Sequence, residues 1–114
     1  MKSHTETRPW GNFEEFTKNE KSTVKILTIK AGERLSLQLH HKREEFYKIL
    51  SGNPIIQIGD MKKEAKVGDE FFIHKEEKHR ISAQNETAKI LEISFGDFDE
   101  NDELRIEDDY GRIE

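Results

Sequence analysis

The chain has 114 residues, which bounds it to one domain with one core. A formal net charge of −5, with acids gathered near the C-terminus, argues against nucleic acid as a main partner, since neutralising phosphates needs a basic face. The absence of cysteine excludes disulfides and thiolate metal sites, and no apolar run approaches the ~20 residues of a membrane span. The opening Met1–Thr7 has no signal-peptide hydrophobic core, so a cytoplasmic protein without membrane partners is expected.

Hydrophobic residues make up 32% and charged residues 38%, a balance that suits sheets with one wet face per strand, or a demanding environment met by Lys–Glu pairs. No sizeable stretch carries a 3.6-residue period. Strands are predicted at Phe13–Thr17, Thr23–Lys30, Leu35–His40, Glu45–Ser51, Ile55–Ile58, Lys62–Lys66, Glu70–Ile73, His79–Ala83 and Lys89–Phe95. Turn chemistry separates them, notably Ala31-Gly32, Ser51-Gly52-Asn53-Pro54, Gly59-Asp60 and Val67-Gly68-Asp69. Many short strands at near-regular spacing predict an all-β sandwich or barrel. Residues 97–114 read as a short acidic tail of the single domain 1–114.

Leu35–His40 is the informative strand. Period-2 alternation puts Ser36, Gln38 and His40 on one face and Leu35, Leu37 and Leu39 on the other. If the polar face lines a site, the leucines need cover from a second sheet or a partner subunit, so a homodimer is expected. Glu45 opens the next apolar run and His79 opens a later one. Gln38, His40, Glu45 and His79 are N/O donors at the ends of neighbouring strands, which is how a β-barrel builds a mononuclear metal site. Such donors suit Zn first, with Mn, Co, Fe or Ni also accommodated.

The spacing of Gly32, Gln38, His40, Glu45 and Gly52, followed by Gly68 and His79 eleven residues apart, resembles the paired motifs of the cupin superfamily. The resemblance narrows with Arg8-Pro9-Trp10-Gly11, Val24-Lys25, Gly32-Glu33-Arg34-Leu35-Ser36-Leu37-Gln38-Leu39-His40-His41, Arg43, Glu45, His79-Arg80 and Glu107-Asp108-Asp109-Tyr110-Gly111-Arg112. In that order they resemble the C-terminal cupin domain of type II mannose-6-phosphate isomerases, over roughly Arg8 to Arg112. That family uses Gln at the first ligand position. The chain departs from the family pattern at Phe46-Tyr47, where His-Trp is usual, at His74 and Glu76, where Pro and Gly are usual, and at Ala83, where Asn is usual.

The resemblance implies an all-β double-stranded β-helix, or jelly roll. It also implies a metal-dependent isomerisation of mannose 6-phosphate and fructose 6-phosphate through a 1,2 proton shift. Larger members carry an N-terminal GDP-mannose pyrophosphorylase domain. This sequence shows none, so nucleotide transfer is not expected of it. A proton shift needs a base and a Lewis acid for the enediolate oxygens. His41, Lys42 and Arg43 lie beside the ligands and are the catalytic candidates, and Glu44 is their neighbour. Phosphate calls for Arg, and Arg34, Arg43, Arg80 and Arg112 lie in the matching segments. Trp10 and Tyr110 are expected to pack the barrel ends or to wall a sugar site. Two other classes stay open: a non-catalytic cupin that binds a sugar or small anion, and another metal-dependent cupin enzyme such as a dioxygenase.

Overall fold

The computed structural model describes residues 3–112. Its strands are β1 (His4–Arg8), β2 (Gly11–Glu15), β3 (Ser22–Ile29), β4 (Leu37–Leu39), β5 (Glu45–Ser51), β6 (Ile55–Ile58), β7 (Met61–Glu64), β8 (Glu70–Ile73), β9 (His79–Ser82), β10 (Ala88–Phe95) and β11 (Leu104–Glu107). One antiparallel sheet runs β3-β10-β5-β8 and the other β11-β4-β9-β6-β7, while β1 and β2 form a separate hairpin. The two larger sheets share one apolar cluster. Ile29, Tyr47, Ile49, Phe71, Ile73 and Ile90 come from the first sheet, and Ile56 and Ile81 from the second. This is the predicted jelly-roll arrangement, two antiparallel layers with alternating side chains turned inward.

Tight turns follow from sequence. Ile58 pairs with Met61 across a two-residue loop, with Gly59 at φ 59°, a conformation a side chain would oppose. Gly52 is needed for a second reason. A Cβ there would stand 2.7 Å from the Thr87 carbonyl oxygen and 2.9 Å from Ala88 Cα, and φ is +84°. It lets the β5–β6 turn lie against the start of β10.

Two strands lie outside the expected set. His4–Arg8 has no apolar alternation, and pairs with Gly11–Glu15 as an exposed hairpin. Leu104–Glu107 lies inside the acidic tail, and pairs with β4. The expected strand Leu35–His40 keeps ladder geometry only at Leu37–Leu39. Its alternation breaks at Leu35–Ser36, so Leu35 packs against the core, while Leu37 is buried within one chain. The three leucines therefore do not form one face awaiting a partner.

Candidate metal and substrate site

Two facing register rows place the site. In the first sheet Lys25, Glu92, Tyr47 and Phe71 sit side by side, and the next row carries Ser94 beside Glu45. In the second sheet the row reads Arg105, Gln38, His79 and Ile58. His40 follows directly after β4.

His40, Glu45 and His79 converge, with one donor atom of each within 4.8 Å of the others. Their exposures are 2%, 1% and 1%. His79 Nδ1 lies 2.9 Å from the Glu77 carbonyl oxygen, an acceptor, so Nδ1 carries the hydrogen. Nε2 is then left with a lone pair. It is buried without a hydrogen-bond partner, 3.3 Å from Glu45 Oε1. Two electron-rich atoms facing one another need a cation or a proton between them, and this fits a metal. His40 turns Nε2 toward Glu45 Oε1 at 3.6 Å, and its Nδ1 is buried without a hydrogen-bond partner. Burial lowers the His40 pKa to about 4, so the imidazole is neutral and able to ligate near pH 7. Burial pushes the Glu45 carboxyl up, while the charge of the adjoining Arg43 guanidinium, and a proton where one is shared with the imidazoles, holds it below the usual carboxylate range.

Glu45 is oriented from three sides. Tyr47 Oη donates to Oε1 at 3.1 Å, while Ser94 Oγ and Arg43 Nε donate to Oε2, each at 3.2 Å. The Gln38 amide oxygen accepts a hydrogen bond from Ser36 Oγ at 2.5 Å. The Arg43 guanidinium bridges the cluster, with a terminal nitrogen 3.1 Å from His40 Nε2. It also lines a cavity of about 300 Å³ together with Gln38, Lys25, Glu92, Phe98 and Arg112. That volume lies at the lower end of the range for small-molecule sites. Phe98 roofs the cavity, its ring centroid 4.5 Å from Arg43 Cζ and 4.1 Å from Lys25 Nζ.

The other expected residues separate into two groups. Arg112 reaches the cavity while Asp108 grips it at 2.8 and 2.9 Å. Arg34 and Arg80 tether the chain end instead. Arg34 forms a bidentate pair with Asp109 at 2.7 and 2.9 Å. Arg80 donates to the Leu35 carbonyl at 2.9 Å and to Glu107 Oε1 at 3.2 Å. His41 and Lys42 are exposed and do not line the cavity; their backbone amides donate to buried Asp102 at 2.9 and 3.0 Å. Trp10 is exposed in the β1–β2 turn and packs no barrel end. Tyr110 walls a neighbouring groove beside Arg34.

Sequence reasoning gave no site role to Glu92, Lys25, Arg105 or Phe98, all of which line the cavity. Alternation offered a signal for one of them. Glu92 lies between Ile90 and Ser94 on the inward face of β10, a carboxylate where the core should be.

The model of the family described as "Mannose-6-phosphate isomerase C-terminal" matches residues 1–108. The chain belongs to this family. Among its relatives, the mannose-1-phosphate guanylyltransferase ManC of Salmonella typhimurium is 31% identical, over 93% of this chain and 22% of the relative. The alginate biosynthesis protein AlgA of Pseudomonas aeruginosa is 33% identical, over 92% of this chain and 22% of its own length. The chain thus spans about a fifth of the length of the curated relatives it matches. Among solved structures, a cupin protein from Bacteroides fragilis superposes with a TM-score of 0.60 at 33% identity, over 68% of this chain and 70% of that one. Oxalate decarboxylase OxdC of Bacillus subtilis superposes at 0.70, over 91% of this chain and 30% of that one. At 23% identity it supports the cupin fold alone. The all-β cupin expectation is borne out. No helix of the described residues is long and apolar enough to cross a membrane.

Proposed function

We propose that this domain interconverts mannose 6-phosphate and fructose 6-phosphate, using a divalent metal held by Gln38, His40, Glu45 and His79. The observation that carries the reading is the buried His79 Nε2 facing Glu45 beside neutral His40, adjoining a small cavity lined by Lys25, Arg43, Arg105 and Arg112 together with Glu92, Glu100 and Glu103. Membership of the mannose-6-phosphate isomerase C-terminal family supports the same substrate. A divalent cation supplies Lewis acidity for negative charge developing on the sugar oxygens.

The chain's own residues do the rest. Arg43 and Arg112 present guanidinium groups to the cavity, suited to bidentate contact with phosphate. Asp108 fixes Arg112, and Asp102 fixes the loop that carries Arg43. Lys25 and Arg43 flank Phe98, which covers one side of the cavity and limits water. The neutral Gln38 contributes an oxygen without a second negative charge, leaving a bound metal more strongly electrophilic.

The test is a coupled assay for fructose 6-phosphate formation after chelation and separate reloading with Zn, Mn, Co, Fe or Ni. Turnover is expected to return with metal, and to vanish together with metal uptake in His40→Ala and His79→Ala. Stoichiometric metal uptake without turnover would reject the isomerase reading.

A further inference from the structure

Glu92 is the carboxyl that the metal cluster leaves uncommitted. It lies at mid-strand on β10, opposite Lys25 of β3 and Tyr47 of β5. It is 7% exposed, yet it lines the same cavity as Gln38 and Arg43. The other buried acids are occupied. Glu45 accepts from Tyr47, Arg43 and Ser94, and Asp102 caps the amides of His41 and Lys42. No side-chain hydrogen bond reaches Glu92 among the described residues; Lys25 stands beside it in the register and Arg43 lines the same cavity. A carboxyl kept buried at this cost, without a fixed partner and open to a substrate cavity, is a functional group rather than packing.

We propose that Glu92 is the catalytic base that moves the carbon-bound proton between C2 and C1 of the bound sugar phosphate. This assignment rests on the isomerase reading above. From the open-chain aldose, the carboxylate takes the C2 proton. The C–H electron pair becomes the C1=C2 double bond, and the carbonyl pair moves onto O1, which receives the proton that the O2 hydroxyl gives up. In the second half, an O2 electron pair forms the C2 carbonyl. The double-bond pair then takes the proton back from Glu92 at C1. No oxidant or reductant is consumed. Lys25, beside Glu92 in the register, favours the ionised carboxylate that begins and ends the cycle. Exposed His41 and Lys42 lie outside the cavity in which this transfer takes place.

The test compares wild type, Glu92→Gln and Glu92→Asp, each loaded with the most active metal. Four quantities are read: metal per chain, calorimetric binding of mannose 6-phosphate, kcat, and loss of the substrate C2 proton signal in deuterium oxide. Glu92→Gln should bind metal and substrate as wild type does, while kcat and C2 exchange fall together by about 10²–10⁴-fold, the range of general acid–base catalysis. Glu92→Asp, with its carboxylate drawn back by one methylene, should fall less, with KM held. A folded Glu92→Gln that exchanges the C2 proton at the wild-type rate overturns the assignment and leaves the isomerase reading intact. Should Glu92→Gln not fold, wild-type kcat in Glu92→Asp overturns it in the same way. A wild-type protein that neither turns over nor exchanges the proton with any metal overturns both.

Discussion

Glu92 and His40 are buried ionisable groups displaced in opposite directions. Burial and the nearby Glu45 charge raise Glu92 from 4.5 to about 7, against the pull of Lys25 and Arg43. The folded state therefore holds a proton that the unfolded chain releases. That contribution is present below pH 4.5 and is lost as pH rises through about 7. His40, lowered from 6.5 to about 4, behaves in the opposite sense: its contribution is present above pH 6.5 and is lost as pH falls through about 4. In metal-free wild type the two slopes oppose one another. In metal-free Glu92→Gln the opposing Glu92 slope is removed and the His40 slope remains. The variant should exceed wild type by up to about 3 kcal/mol at pH 8, with the difference closing near pH 4. Urea denaturation across that range measures it, and equal stabilities at pH 8 would contradict the burial cost. Glu76 offers a second residue-scale test. It sits at φ 64°, a region that favours glycine, and its amide donates to the His40 carbonyl at 2.6 Å. Glu76→Gly removes a left-handed side chain at the cost of a looser unfolded state, and should raise stability by about 0.5–1 kcal/mol. A lowered melting temperature would show that the Glu76 side chain is needed in the turn.

At the scale of elements, the segments that resemble the family turn out to be one another's partners. Arg34 grips Asp109, Glu33 accepts from Tyr110 at 2.5 Å, and Arg80 grips Glu107. The signature at the chain end therefore clamps β11 onto β4 and delivers Arg112 to the cavity. Gly52 has a comparable task at the β5–β6 turn. Gly52→Ala meets both the positive φ and the backbone of Thr87 and Ala88, and should cost about 3 kcal/mol or more in urea denaturation. A loss under 1 kcal/mol would mean that the turn relaxes. The convergence of His40, Glu45 and His79 and most strands were legible because motif spacing, period 2 and turn residues are signals carried in the sequence. The roles of Arg34 and Arg80 were not, since an Arg clamped by a distant acid reads the same as an Arg awaiting phosphate. β11 was hidden within a run of acids, and Glu92, flagged in sequence only by its inward place in the β10 alternation, gained its neighbours Lys25 and Tyr47 from the register.

At the scale of the whole molecule, a small apolar core is joined to a buried polar cluster at one end of the barrel. The polar end holds two His, two buried Glu and an Arg in direct or near contact. Such a cluster is costly unless a ligand or metal completes it. The most direct measurement is a titration of one activating metal into chelated protein, with metal content and fructose 6-phosphate formation followed on the same sample. Turnover should rise linearly and level at one metal per chain. Metal saturation with turnover fixed at zero, or turnover in the chelated protein that added metal leaves unchanged, would contradict the account.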